Sequence, residues 1–190
     1  MTNYSEDFIQ DLNLIRDSAR AAGDPALAER ARGLKIWSKP DRSPVTHADE
    51  AVDALLRDIL LGARPDYGWL SEETADGPER LSRERIFIAY MKNTPWWCIP
   101  IAVVENGLPV AAVIHAPALD ETFVATRGGG AFLNDRPITA SDVTTLDDAS
   151  VLADARLLEG PIWPEPWPVM RFEKRNAIAY RMALVAAGAF

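Results

Sequence analysis

A chain of 190 residues, 48% hydrophobic and 25% charged, is long enough to bury a sizeable core, and its 14 prolines and 11 glycines are too dispersed for a fibrous or disordered polymer. The balance of 20 basic against 28 acidic residues, a net charge of −8, argues against a surface for nucleic acid. A lone cysteine, Cys98, excludes an internal disulfide and any metal site built on paired thiolates, and no apolar run is long enough to span a bilayer.

The first 20 residues are charged throughout and lack the apolar run of a signal peptide, so a soluble cytoplasmic protein with no membrane partner is expected. Phe8, Leu12, Ile15 and Ala19 recur at helical spacing and predict a first helix. Gly23-Asp24-Pro25 predicts a break, with Asp24 capping a second helical piece that stops near Gly33. Lys39 to Pro44 reads as a turn-rich loop. A third helix follows, with Thr46 and Asp49 in a capping box and a stripe of Ala48, Val52, Leu55, Leu56, Ile59 and Leu60.

Beyond Pro65-Asp66 the pattern turns to strand. Tyr67 to Leu70 is short and aromatic, and it runs into the polar stretch Ser71 to Asp76. Arg85 to Ile88 predicts a buried strand. Trp97 to Val104 and Pro109 to Ile114 flank Asn106-Gly107, a strong hairpin signal. Glu121 to Thr126 and Ala131 to Leu133 continue the meander around Gly128-Gly129-Gly130, which is read as a tight turn rather than an anion cradle. Helices followed by such a meander imply an α+β fold with a largely antiparallel sheet. A polar stretch near residue 142 suggests a boundary, giving domains 1–142 and 143–190. Within the second, Val151-Leu152 reads as a strand and Ala177 to Ala187 as a helix.

Few residues offer chemistry on their own. Asp49, in the first turn of a helix, is adequately explained as a cap favoured by the helix dipole. Glu72 and Glu73 at a strand end repel each other unless solvent or a cation separates them, but acidic loops are common and the pair by itself does not mark a metal site. His47 and His115 do not share a metal-ligand spacing. No Gly-x-Ser-x-Gly elbow is present. Cys98, in an apolar run beside Trp96 and Trp97, reads as buried and inert, and the six tryptophans read as packing.

The order of these pieces is more specific than any one of them. Ser43 to Asp49 resembles the Val-Thr-x-x-Asp motif of the inositol monophosphatase family, and Trp69 to Thr74 resembles its Gly-Glu-Glu-Ser segment. Ile99 to Glu105, Val110 to Pro117, Glu121 to Phe123 and Gly129 to Asn134 are similar to the family's hairpin and glycine signature. Asn176 to Gly188 is similar to its later Gly-Ser-Ala helix, with Asn176-Ala177 in place of Gly-Ser. The resemblance runs from about Asp11 to Phe190. It implies an αβαβα sandwich of the sugar-phosphatase type, its second layer incomplete here. It also implies a lithium-sensitive, Mg²⁺-dependent phosphatase acting on a small phosphorylated metabolite. The family's substrates are inositol monophosphates, 3'-phosphoadenosine 5'-phosphate or histidinol phosphate, and the bisphosphate nucleotidase branch looks slightly closer. By the same resemblance Glu72 is a metal ligand that helps position the attacking water, and Asp49 acts near the nucleophile and a further metal. Thr46, Lys39 and Glu73 are weaker carry-overs, Glu73 as a supporting acid. A homodimer rests on the resemblance alone.

One departure is large. The family's Asp-Pro-Ile-Asp-Gly-Thr motif, which supplies two metal-binding aspartates, is absent where Ile88 runs directly into Ala89. The flanks keep the family pattern, so an omitted segment is the preferred explanation, and a break in the backbone is expected at that junction. The alternative is a genuine deletion, giving an inactive relative that serves as a binding or regulatory protein. The family also continues past the equivalent of Phe190 to a Trp-Asp motif that completes the metal site.

Overall fold

The computed structural model describes residues 4–32, 36–38, 44–89, 97–154, 156, 158 and 163–190. It opens with one helix, α1 (Tyr4–Ala31), which runs straight through the predicted break, with Pro25 inside it. An interior proline forfeits a backbone hydrogen bond, but Ala22 and Ala26 on either side are buried against the sheet and hold the helix in place. Gly23 marks a close approach rather than a stop. A Cβ there would lie 2.9 Å from His115 Nε2 and 3.1 Å from Pro117 Cγ.

Strands β1 (Ile36–Ser38) and β2 (Pro44–Thr46) pair antiparallel across the stretch read from sequence as a loop. Lys39 to Ser43, between them, lie outside the described residues. Helix α2 (His47–Ala63) follows, and Ala48, Val52, Leu56 and Leu60 of its predicted stripe are buried. Among the described residues no helix is long and apolar enough to cross a membrane.

The main sheet has seven strands in chain order: β3 (Gly68–Ser71), β4 (Arg85–Ala89), β5 (Ile99–Glu105), β6 (Leu108–Ala116), β7 (Glu121–Thr126), β8 (Gly130–Leu133) and β9 (Arg136–Pro137). Every pairing is antiparallel except β3 with β4. The β5–β6 turn takes Asn106 at φ 50° and Gly107 at φ 78°, as a two-residue hairpin of right-handed strands requires. The expected break at Ile88–Ala89 is not present. Both residues belong to β4 in unbroken register, Ile88 opposite Leu70 and Ala102, Ala89 opposite Ser71 and Ile101.

Strand alternation divides the sheet into two faces. Ile99, Ile101 and Val103 join Ile15, Ala19, Leu56 and Phe87 in the core beneath α1 and α2. On the other face, Cys98, Ala116 and Phe123 pack with Ala177, Tyr180 and Ala183. Those last two belong to α3 (Ile178–Ala186), which follows the short parallel pair β10 (Ser150–Leu152) and β11 (Arg171–Glu173). Tyr180 meets Phe123 edge-on at 6.0 Å and donates its hydroxyl to Glu121 Oε2 at 2.6 Å, fastening α3 to β7. The result is the α+β layering read from the sequence.

A buried ionic knot closes the α1 side of the sheet. The Asp11 carboxylate, 1% exposed, accepts from Arg64 Nε at 3.2 Å, Arg85 Nη1 at 3.1 Å and the Tyr67 hydroxyl at 2.9 Å. Arg85 also donates to Glu105 Oε1 at 2.7 Å. His115 is buried with Nδ1 3.0 Å from Thr122 Oγ1, and burial pushes it below the ordinary histidine range. Burial pushes the Cys98 thiol up to about 11, which leaves it inert at neutral pH.

Candidate active site

Two carboxylates singled out from the sequence, Asp49 and Glu72, sit on neighbouring elements. Asp49 lies in the first turn of α2 and is 7% exposed. Asp53 follows one helical turn later, equally buried, and so shares that face of α2. Thr46 ends β2 immediately before the helix.

Glu72 follows the last residue of β3, in a loop with its own fastening. The Ser71 hydroxyl accepts from the Thr74 backbone N–H at 3.1 Å and from Trp69 Nε1 at 3.3 Å, which curls the chain back on itself. Thr74 Oγ1 then donates to Asp53 Oδ2 at 2.7 Å. This clasp pins the Glu72–Glu73–Thr74 segment to the α2 face that begins with Asp49. Glu72 is solvent-exposed and Glu73 is half-buried.

A cation closes the other side of Asp49. Arg30, in the last turn of α1, stacks its guanidinium over the Trp97 ring, 5.1 Å from the ring centroid. Burial lowers the Arg30 pKa, and the nearby Asp49 charge opposes that shift. The C-terminus of α1, the N-terminus of α2 and the approach to β5 thus converge on Asp49.

Parallel pairing of β3 and β4 sets their carboxyl ends side by side, with Ser71 opposite Ala89. Any ligand leaving β4 would emerge next to Glu72. The chain offers no carboxylate there, since no Asp or Glu occurs between Glu84 and Glu105. Among the described residues no group of three or more His, Cys, Asp or Glu side chains converges to hold a metal ion. Asp49 and Glu72 thus supply two carboxylates on neighbouring elements, fewer oxygens than a cation enclosed by protein takes. Lys39 lies outside the described residues.

Arg30, Asp53 and the clasp made by Thr74 carry no strong local signal. Asp53 stands four residues from Asp49, a spacing any solvated helix face shows, and Arg30 looks like an ordinary cation at a helix end. The lack of a carboxylate after β4, by contrast, is visible in the sequence.

Comparison with known proteins adds independent observations. The model of the inositol monophosphatase family matches residues 10–189. An inositol-1-monophosphatase of Rhizobium meliloti is 34% identical over 149 residues, covering 74% of this chain and 56% of its own. A histidinol-phosphatase of Mycobacterium tuberculosis is 36% identical over 132 residues, covering 64% of this chain and 51% of its own. The chain thus spans little more than half the length of these relatives. Among solved structures, the extragenic suppressor protein suhB of Bartonella henselae superposes with a TM-score of 0.78 at 26% identity, over 95% of this chain and 76% of that one.

Proposed function

The chain belongs to the inositol monophosphatase family, and from that premise we propose that it is a Mg²⁺-dependent, lithium-sensitive phosphomonoesterase hydrolysing a small phosphorylated metabolite with water. The carrying observation is the Asp53–Thr74 clasp, which fastens the loop of Glu72 to the helix face of Asp49. Asp49 and Glu72 are the residues that would hold the ion. When bound, Mg²⁺ would acidify a water and offset the charge of the phosphate, which an acidic protein otherwise repels. Glu72, open to solvent, would orient that water, while Asp49 lies in the first turn of α2 and near Arg30. The relatives' names support inositol monophosphate and histidinol phosphate as substrates ahead of 3'-phosphoadenosine 5'-phosphate.

The test is phosphate release from inositol 1-phosphate, histidinol phosphate and 3'-phosphoadenosine 5'-phosphate, with and without Mg²⁺ and with added Li⁺. The expected result is Mg²⁺-dependent release that Glu72→Gln and Asp49→Asn abolish while circular dichroism shows both variants folded. No release from any of the three by the wild-type chain with Mg²⁺ refutes the proposal.

A second reading rests on one observation, the absence of any Asp or Glu between Glu84 and Glu105. It is a family member that binds its phosphorylated ligand without hydrolysing it. Its result in the same assay is saturable ligand binding with no phosphate released.

A further inference from the structure

On the flank of the Glu72 loop lies a separate cavity of about 320 Å³, set between α2, β3 and the 3-10 turn Pro78–Ser82. Arg57, Arg80 and Arg83 line it, together with Trp69. In a chain of net charge −8 such a cluster runs against the overall balance. Arg57 and Arg83 are both solvent-exposed. Arg57 and Arg83 make no ion pair among the described residues. Arg80 is held in place by Asp76, with Nη2 donating to Oδ2 at 2.8 Å and Nε to Oδ1. Glu79 is the one carboxylate in the lining, so the cavity wall stays cationic even after Asp76 is counted against Arg80.

The wall depends on a glycine. A Cβ on Gly68 would lie 2.4 Å from Ile86 Cγ2 and 3.0 Å from Arg80 Cβ, so only glycine lets the 3-10 turn settle onto β3 with Arg80 at the cavity. Thr74, whose hydroxyl makes the Asp53 clasp, also lines the cavity.

We propose that this cavity binds a small phosphate-bearing metabolite, its phosphate taken by Arg57 and Arg83 and its organic part resting on Trp69. Planar guanidinium forks match phosphate oxygens with paired hydrogen bonds, and an indole supplies apolar surface beside them. The site is distinct from the Asp49–Glu72 pair and does not depend on hydrolysis there.

The test is calorimetric titration of the chain in EDTA with inorganic phosphate and with adenosine 5'-monophosphate. Arg57→Gln/Arg83→Gln is expected to weaken binding of both probes at least about tenfold, the loss of charged hydrogen bonds. Asp49→Asn/Glu72→Gln, which removes the proposed catalytic carboxylates, is expected to leave binding intact. Circular dichroism confirms that each variant is folded. Tighter binding of adenosine 5'-monophosphate than of phosphate is the result expected if the organic part rests on Trp69, and equal binding of the two overturns that contact. Unchanged affinity in the arginine variant, or no binding by the wild-type chain at millimolar concentration, overturns the proposal.

Discussion

Replacing Thr74 with valine keeps the side-chain shape and removes one hydroxyl. In the folded chain that hydroxyl donates to Asp53 Oδ2 at 2.7 Å, and Asp53 is only 7% exposed. A hydrogen bond to a charged, buried acceptor contributes about 1.5–3 kcal/mol, and its loss leaves a carboxylate oxygen with less solvation than water would give it. We therefore expect Thr74→Val to cost about 2 kcal/mol. For a chain of this size that corresponds to a fall of about 4–8 °C in Tm, and to about 1 M in the urea midpoint. Thr74→Ser, which keeps the hydroxyl, should lose well under half as much. The decisive measurement is a double-mutant cycle with Asp53→Ala, read by urea unfolding. If the hydroxyl and the carboxylate act as a pair, the coupling energy should approach 2 kcal/mol. A coupling below about 0.5 kcal/mol would mean that the two side chains are not energetically linked, and the reasoning that fastens the Glu72 loop to α2 would fail.

Three other outcomes follow from the packing. Asp11→Ala should destabilise by about 3–5 kcal/mol in chemical denaturation, because it strands Arg85 and Arg64 beside a buried gap, whereas Asp7→Ala, 3.9 Å from Arg85 and largely exposed, should change stability by less than about 1 kcal/mol. Gly23→Ala, which in an open helix gains about 1 kcal/mol, should instead lower the thermal midpoint, since the new methyl meets His115 and Pro117. Cys98 holds its proton to about pH 11 when folded, against 9.0 for an ordinary thiol, so the folded chain binds more protons than the unfolded chain over that interval. Stability measured by urea titration should therefore fall as pH rises from 9 towards 11, and at pH 8 iodoacetamide should label Cys98 only after unfolding.

Much of the fold was legible from short-range pattern. The stripe on α2 and the Asn106-Gly107 hairpin depend on neighbours within four residues, and those spacings are written directly in the chain. The order of the motifs pointed to the family for the same reason, and the shortage of carboxylates after β4 was equally plain.

Other features depended on what came to lie alongside. Gly23 and Pro25 read as a helix stop because local propensity says so, yet the sheet beneath α1 holds the helix together and needs a glycine where it passes His115. The sequence carries no local mark of Asp11, whose partners lie 53, 56 and 74 positions away. The candidate site shows the same division. Asp49 and Glu72 could be named from the sequence, but the clasp that joins their elements spans 21 residues, and Arg30 reaches Asp49 only because α1 ends beside the start of α2. Periodicity records which face a residue presents; which partner meets that face is decided when the sheet closes, because the energy of a buried charge or a tight backbone contact depends on atoms distant in the chain.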